Sequence, residues 1–195
     1  MLKRNMAILI MLFLGLASVC GCDDGDSDSK SSPATAELHY DGDPVPASGD
    51  GGIPGQTNEY LVYFNAAELQ AYVGWEITQV RICYCESSFN PPTHDFTVNI
   101  YGKGTTTTPG TLLFNQAYTL TKGWNTITLS APLVIGSDTE IWAGYATSIG
   151  SCWPASTDDN AYEDNKNWIR ETAPTPGVYG EWTYHNLNIR IIVQE

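Results

Sequence analysis

The sequence predicts an all-β domain, a sandwich or barrel of antiparallel strands, over residues 36–195. Two observations support this. Between Glu37 and Val193 apolar residues mostly recur with a period of two, and β-branched and aromatic types are abundant, as is typical of half-buried strands. Turn residues interrupt the pattern at short intervals, which favours a sandwich or barrel over strand–helix–strand units.

Nine segments alternate strongly enough to be predicted as strands. In chain order they are Ala36–Tyr40, Glu59–Phe64, Glu76–Cys85, Phe96–Tyr101, Leu112–Tyr118, Asn125–Leu129, Glu140–Thr147, Trp168–Glu171 and Leu187–Val193. Turn-forming clusters such as Pro91–Pro92 and Gly102–Gly110 separate them. One short helix is predicted over Asn65–Tyr72, because Asn65 is a good N-cap and Glu68 follows three residues later.

Residues 1–21 have the layout of a secretory signal peptide. Lys3 and Arg4 precede an uncharged apolar segment, Met6–Ala17, and small residues follow it. This segment is shorter than the roughly 20 residues that a membrane-spanning helix needs. We therefore expect the signal to be removed during export.

The end of the signal predicts a lipid anchor. Val19–Cys22 resembles a bacterial lipobox, which makes Cys22 the expected acylated first residue of the mature chain. Several acyl chains would hold the protein on a membrane stably, so the expected location is the cell envelope, outside the cytoplasm. The alternative is an ordinary signal peptide and a secreted protein.

Composition separates a tether from the domain and limits the partners. Residues 22–35 are rich in Asp, Gly and Ser and have no large apolar side chain, which predicts a flexible acidic tether. The whole chain has 22 acidic and 9 basic residues, a formal charge of −13. This excess argues against nucleic acid and against an anionic lipid surface as partners, since both would repel it.

Three cysteines lie beyond the signal and anchor. Cys83 and Cys85 are two residues apart on one strand, so their Cα atoms are about 6.6 Å apart, near the upper limit for a disulfide. A bridge between Cys85 and Cys152 is predicted instead, because Cys85 is nearer the strand end. A metal site formed by the three cysteines is the alternative.

Eight short motifs follow one another along the domain in a specific order. They are Tyr40–Asp43, Asn65–Gly74, Ile77–Arg81, Val98–Tyr101, Pro109–Leu113, Gly123–Leu129, Ile141–Tyr145 and Leu187–Arg190. Their order resembles the jelly-roll modules of secreted bacterial peptidases and surface adhesins, including the cleaved-adhesin domains of gingipain-like proteins. The resemblance implies a jelly-roll sandwich of about nine or ten strands. It also implies a non-catalytic role in adhesion or substrate attachment, in some members with bound calcium.

Acidic loop residues are the candidate metal ligands. Calcium takes six to eight oxygen ligands and can be bound by irregular loops. The candidates are Asp41, Asp43, Asp158 and Asp159, with Asp41 and Asp43 favoured by the resemblance. Calcium would act as a structural ion; the alternative is a pair of solvated acidic loops.

Loop aromatic residues are the candidate ligand-binding groups, because flat aromatic faces beside polar groups suit sugar rings or peptide side chains. The candidates are Trp153, Tyr162, Tyr179 and Trp182. The alternative is that these rings cap one end of the sandwich. Trp75, Trp124 and Trp142 are expected to serve packing.

The sequence favours a non-catalytic surface module that binds a glycan or a protein. His39, His94 and His185 are far apart, and no hydrolase motif accompanies them. One alternative is a structural component of an envelope or secretion assembly, which a long exposed edge strand would indicate. A second alternative is a β-sandwich glycoside hydrolase, which two acids about 5–10 Å apart in a cleft would indicate.

Overall fold

The computed structural model describes residues 32–45, 49–50, 56–88, 90–148, 154–173 and 177–195. Pro33–Glu195 form one compact unit. Several sequence predictions fall outside the described residues. They concern the predicted signal peptide 1–21, the predicted anchor Cys22, most of the predicted tether, Cys152 and Trp153. Within the described ranges, no helix is long and apolar enough to cross a membrane.

The described residues form twelve β-strands. They are β1 Thr35–Leu38, β2 Gly49–Asp50, β3 Thr57–Phe64, β4 Glu76–Tyr84, β5 Thr93–Gly102, β6 Thr111–Thr121, β7 Gly123–Val134, β8 Ile141–Ser148, β9 Ala155–Ser156, β10 Asn167–Ala173, β11 Gly180–Glu181 and β12 Ile189–Gln194. β2, β9 and β11 have two residues each. Every other strand overlaps one of the predicted segments.

These strands form two antiparallel sheets that pack together, so the predicted all-β sandwich is confirmed. The first sheet has the order β1-β12-β4-β9-β2, with β7 also paired to β4. The second sheet has the order β11-β10-β3-β8-β5-β6. The main core contains buried residues of both sheets, among them Val80 and Ile191 of the first and Tyr60, Val98 and Tyr145 of the second.

The predicted helix is confirmed, together with its cap. Helix α1 (Ala66–Leu69) continues into a 3₁₀ turn at Gln70–Tyr72. The Asn65 side chain accepts from the Glu68 amide at 3.0 Å, and the Glu68 carboxylate accepts from the Asn65 amide at 2.9 Å. This capping box satisfies two backbone donors that the first helical turn leaves unpaired.

Strand β3 is buried on both faces. Every residue from Asn58 to Phe64 is buried. Leu61 and Tyr63 alternate with the residues that face the main core. They join Trp142 and Trp168 in a second apolar cluster on the outer face of the second sheet. The second sheet therefore contributes to two apolar layers, whereas strict alternation would give it one.

Candidate ligand-binding site

A network of ion pairs covers part of the outer face of the first sheet. Arg190 on β12 and Arg81 on β4 are opposite each other in the ladder. Arg190 donates from Nη2 to Asp41 Oδ2 at 2.8 Å and from Nη1 to Glu37 Oε1 at 2.6 Å. Arg81 donates to Glu37 Oε2 at 2.6 Å. The Asp41 side chain is fully buried, so the network fixes the segment after β1 onto the sheet.

Trp124, the second residue of β7, lies beside these arginines. It pairs with Cys83 of β4. The guanidinium carbon of Arg190 lies 4.3 Å from the centroid of the indole, and that of Arg81 lies 5.0 Å from it. Cations at these distances from an aromatic ring are attracted to it. The half-buried indole is thereby held in one orientation.

Trp124 forms one wall of a pocket of about 210 Å³. The residues that line this pocket, called here the Trp124 pocket, are Pro44, Val45, Cys83, Glu86, Gly123, Trp124 and Ser156. Val45 is held in place by a hydrogen bond from its amide to the Thr157 carbonyl at 3.0 Å. The volume is below the range of about 300–1,000 Å³ that is typical of pockets for drug-sized ligands. The pocket can therefore accept a single ring or a short side chain.

Three polar side chains line the pocket, those of Ser156, Cys83 and Glu86. Ser156 donates its hydroxyl to Asn188 Oδ1 at 2.9 Å. Burial raises the pKa of the Cys83 thiol to about 11, so this thiol is protonated at neutral pH and is a poor nucleophile. Glu86 is exposed and can accept hydrogen bonds from a ligand.

Acidification should weaken the ion pairs beside the pocket. Burial raises the pKa of Glu37, but hydrogen bonds from Arg190 and Arg81 outweigh it, and the net pKa lies below the ordinary value of 4.5. A depressed folded-state pKa gives stabilisation that is present above about pH 4.5 and is lost as the pH falls through the folded-state value. We therefore expect wild type to be more stable than Glu37→Gln at about pH 6 and this advantage to be smaller at about pH 3. Urea unfolding at both pH values tests this, and an undiminished advantage in acid would contradict it.

The two predicted acidic loops lie next to each other in the structure. Their buried carboxylates, Asp41 and Asp158, accept hydrogen bonds from other groups of the protein. Asp158 accepts from the Gly42 amide at 2.7 Å and from the Asn186 amide at 3.1 Å. Asp41 binds Arg190, as described above. The other two candidates, Asp43 and Asp159, are exposed. No group of three or more His, Cys, Asp or Glu side chains that could hold a metal occurs in the part of the chain that the structure describes.

Calcium at these loops stays a prediction with a direct test. An ion that binds only the folded state stabilises it by mass action. Calcium binding therefore predicts that a chelator lowers the melting temperature and that added calcium restores it. A melting curve that does not respond to either treatment would exclude a structural calcium.

Three of the four predicted ligand-binding aromatics contact other parts of the protein, and the fourth, Trp153, lies outside the described residues. Tyr162 donates its hydroxyl to Glu181. Tyr179 donates to Glu59 at 2.7 Å and packs against the second apolar cluster. Trp182 packs against the main core instead, next to Tyr184. Tyr179 and Trp182 thus belong to different clusters.

The predicted disulfide stays a prediction. Cys85 is buried and directly follows the last residue of β4, but Cys152 lies outside the described residues.

Sequence reasoning assigned Trp124 to packing and did not single out its two arginine neighbours. A signal for them exists: Arg81 and Arg190 occupy positions that alternate with the apolar Val80, Ile82, Ile189 and Ile191. Two positive charges on the outward side of two apolar strands indicate a charged outer face of the sheet. The sequence does not show that these strands are neighbours.

Comparison with known proteins does not assign this chain to a family. No protein-family model matches the chain, and no curated protein matches it.

Proposed function

We propose that this protein is a non-catalytic binding module of the bacterial cell envelope that captures a surface glycan in the Trp124 pocket. The observation that carries the proposal is a half-buried indole, fixed by Arg190 and Arg81, that forms one wall of a ring-sized pocket. Sugars present apolar C–H faces to aromatic rings and hydroxyl groups to polar side chains. The resemblance to adhesin-like modules and the export signal support a role at the cell surface.

The electrostatics of the pocket favour an uncharged sugar. Arg190 is paired with Asp41 and Glu37, and Arg81 is paired with Glu37. The two carboxylates balance the charges of the two arginines, so neither arginine is available to pair with an anionic ligand. The exposed Glu86 carboxylate would repel an anion and accept hydrogen bonds from sugar hydroxyls.

A glycan-binding screen of the compact unit 33–195 tests the proposal. We expect wild type to bind a neutral glycan and Trp124→Ala to bind it at least ~10-fold more weakly, a loss of about 1.4 kcal/mol or more. Trp124→Phe keeps a flat aromatic face and should retain part of the affinity. Melting curves of each variant establish that the fold is intact.

Tyr184→Ala is the matched control. Tyr184 is also an aromatic residue on the surface, 72% exposed, but it does not line the pocket. Its removal should leave glycan affinity unchanged. Equal losses in Trp124→Ala and Tyr184→Ala, or wild type that binds no glycan, would reject the Trp124 pocket as the binding site.

One observation favours a second function, that of a structural component of an envelope assembly. Strand β6 is a long edge strand with most of its side chains exposed, and such an edge is a pairing surface for another chain. An assembly role would survive in Trp124→Ala, whereas glycan capture would not.

A further inference from the structure

The free edge of β6 is the least protected sheet edge in the described structure. β6 pairs with β5 on one side, and among the described strands none pairs with its other side. Its eleven residues include no charged residue, glycine or proline. Only Phe114 and Leu120 are buried, and Tyr118 is partly so. A long, uncharged edge of this kind offers unpaired N–H and C=O groups to another strand. Thr121 at its end is an exception, because the Asn125 side chain bonds both its amide and its carbonyl.

The other outermost strands in the described parts of the two sheets are short or interrupted. β1 has four residues and carries Glu37, while β2 and β11 have two residues each. β7 is long, but its pairing with β4 breaks between Thr128 and Leu133, and Pro132 lies in that break. Short edge strands, charges, proline and irregular pairing are the usual means by which proteins protect sheet edges. β6 has only one irregularity, a bulge near Leu113.

Five of the eleven residues of β6 stay the same when the strand is read in the opposite direction. In a strand that pairs with its own copy about a two-fold axis at Gln116, four of the six pairs join identical or similar residues. The pairs are Gln116 with Gln116, Asn115 with Ala117, Phe114 with Tyr118, Leu113 with Thr119, Leu112 with Leu120, and Thr111 with Thr121. Aromatic residues thus face aromatic residues, and leucine faces leucine. A two-fold interface requires self-complementarity of this kind.

Charge also favours this strand as a contact between copies. The chain carries a formal charge of −13, so two copies repel each other across most of their surfaces. The uncharged β6 avoids direct repulsion between opposite side chains. The bulge lies outside the central five residues, Phe114–Tyr118, which pair regularly with β5.

From these observations we infer that two copies of this chain associate through antiparallel pairing of their β6 strands, with the two-fold axis at Gln116. The pairing joins the second sheets of the two copies into one continuous sheet. The Trp124 pocket does not include β6 residues, so this association is independent of glycan binding.

Sedimentation analysis of the compact unit 33–195 tests the association. Wild type is expected to show a concentration-dependent dimer. Gln116→Lys places two positive charges opposite each other at the axis and should weaken the dimer at least ~10-fold. The substitution also reduces the net negative charge, which by itself would favour association. Gln70→Lys makes the same chemical change at an exposed site away from β6 and should leave the dimer intact.

Cysteine cross-linking tests the register. In Gln116→Cys the two new thiols face each other, and mass spectrometry should find a peptide joined through residue 116 of both copies. In Thr119→Cys the two thiols are offset by six residues, about 20 Å along the strands, and should not cross-link. Thr119 is exposed on the same strand, which makes it a matched control.

Three results would overturn the inference. They are a wild-type protein that stays monomeric up to the highest soluble concentration, a dimer that Gln116→Lys does not weaken, and equal cross-linking at positions 116 and 119. Loss of glycan binding in Trp124→Ala has no bearing on any of them, so the proposed function and the dimer can fail separately.

Discussion

Glu59→Ala is expected to lower the free energy of unfolding by about 3–5 kcal/mol, the range found when one partner of a buried ion pair is removed. Glu59 is 1% exposed. Its carboxylate accepts four hydrogen bonds: from Asn99 and Tyr101 at 2.6 Å, and from Arg170 and Tyr179 at 2.7 Å. Truncation leaves these donors without their shared acceptor, and an unpaired buried donor bears its full desolvation cost.

Urea denaturation at neutral pH measures this loss. Glu76→Ala is the matched control, since Glu76 is exposed at the start of β4, and we expect it to change stability by at most about 0.5 kcal/mol. Glu59→Gln retains the shape but replaces one acceptor oxygen by a donor, so an intermediate loss is expected. A loss below about 1 kcal/mol for Glu59→Ala would show that the four donors find other partners in the folded protein.

Asp41→Ala is expected to be the second most damaging substitution, with a loss of about 3 kcal/mol. The buried Asp41 carboxylate accepts from Arg190 Nε and from Asn188 Nδ2, both at 2.9 Å. Without it, Arg190 keeps Glu37 but loses its most buried partner. The segment that leads to Pro44 and Val45 also loses its attachment to β12, so the Trp124 pocket should lose affinity for its ligand.

Asp43→Ala separates this effect from calcium binding. Asp43 is exposed and lies two residues from Asp41. If Asp41 acts by binding Arg190, Asp41→Ala should destabilise the protein equally with and without calcium. Asp43→Ala should then leave stability unchanged. A loss in both variants that appears only when calcium is present would instead assign the two carboxylates to an ion.

The sequence predicted most of the fold because each strand carries its own alternation of apolar and polar residues. The segments around Val80, Val98 and Ile191 show which residues face the core, and turn residues locate the ends of the strands. The helix was predictable for the same local reason, since Asn65 and Glu68 form a complete capping box within four residues.

The outer faces of both sheets were harder to predict because their contacts join distant parts of the chain. Trp124 lies beside arginines from two different strands. Alternation shows which face of a sheet a residue lies on, but it does not show which residues of other strands lie next to it. For the second sheet a local signal was present: five consecutive apolar residues, Tyr60–Phe64, indicate a strand that is buried on both faces. The four donors to Glu59 come from β5, from β10 and from the segment before β11, so their convergence follows only from the assembled sheet.

Pairing between β1 and β12 has a consequence for the order in which the chain folds. Thr35–Leu38 pair with residues 191–194, and the Glu195 amide donates to the Ala34 carbonyl at 2.9 Å. β12 also separates β1 from β4. Synthesis proceeds from the N-terminus and β12 follows all the other described strands, so the first sheet cannot close before β12 has been made. Contacts between residues so distant in sequence slow folding, so the edge of β4 that pairs with β12 stays open during this interval.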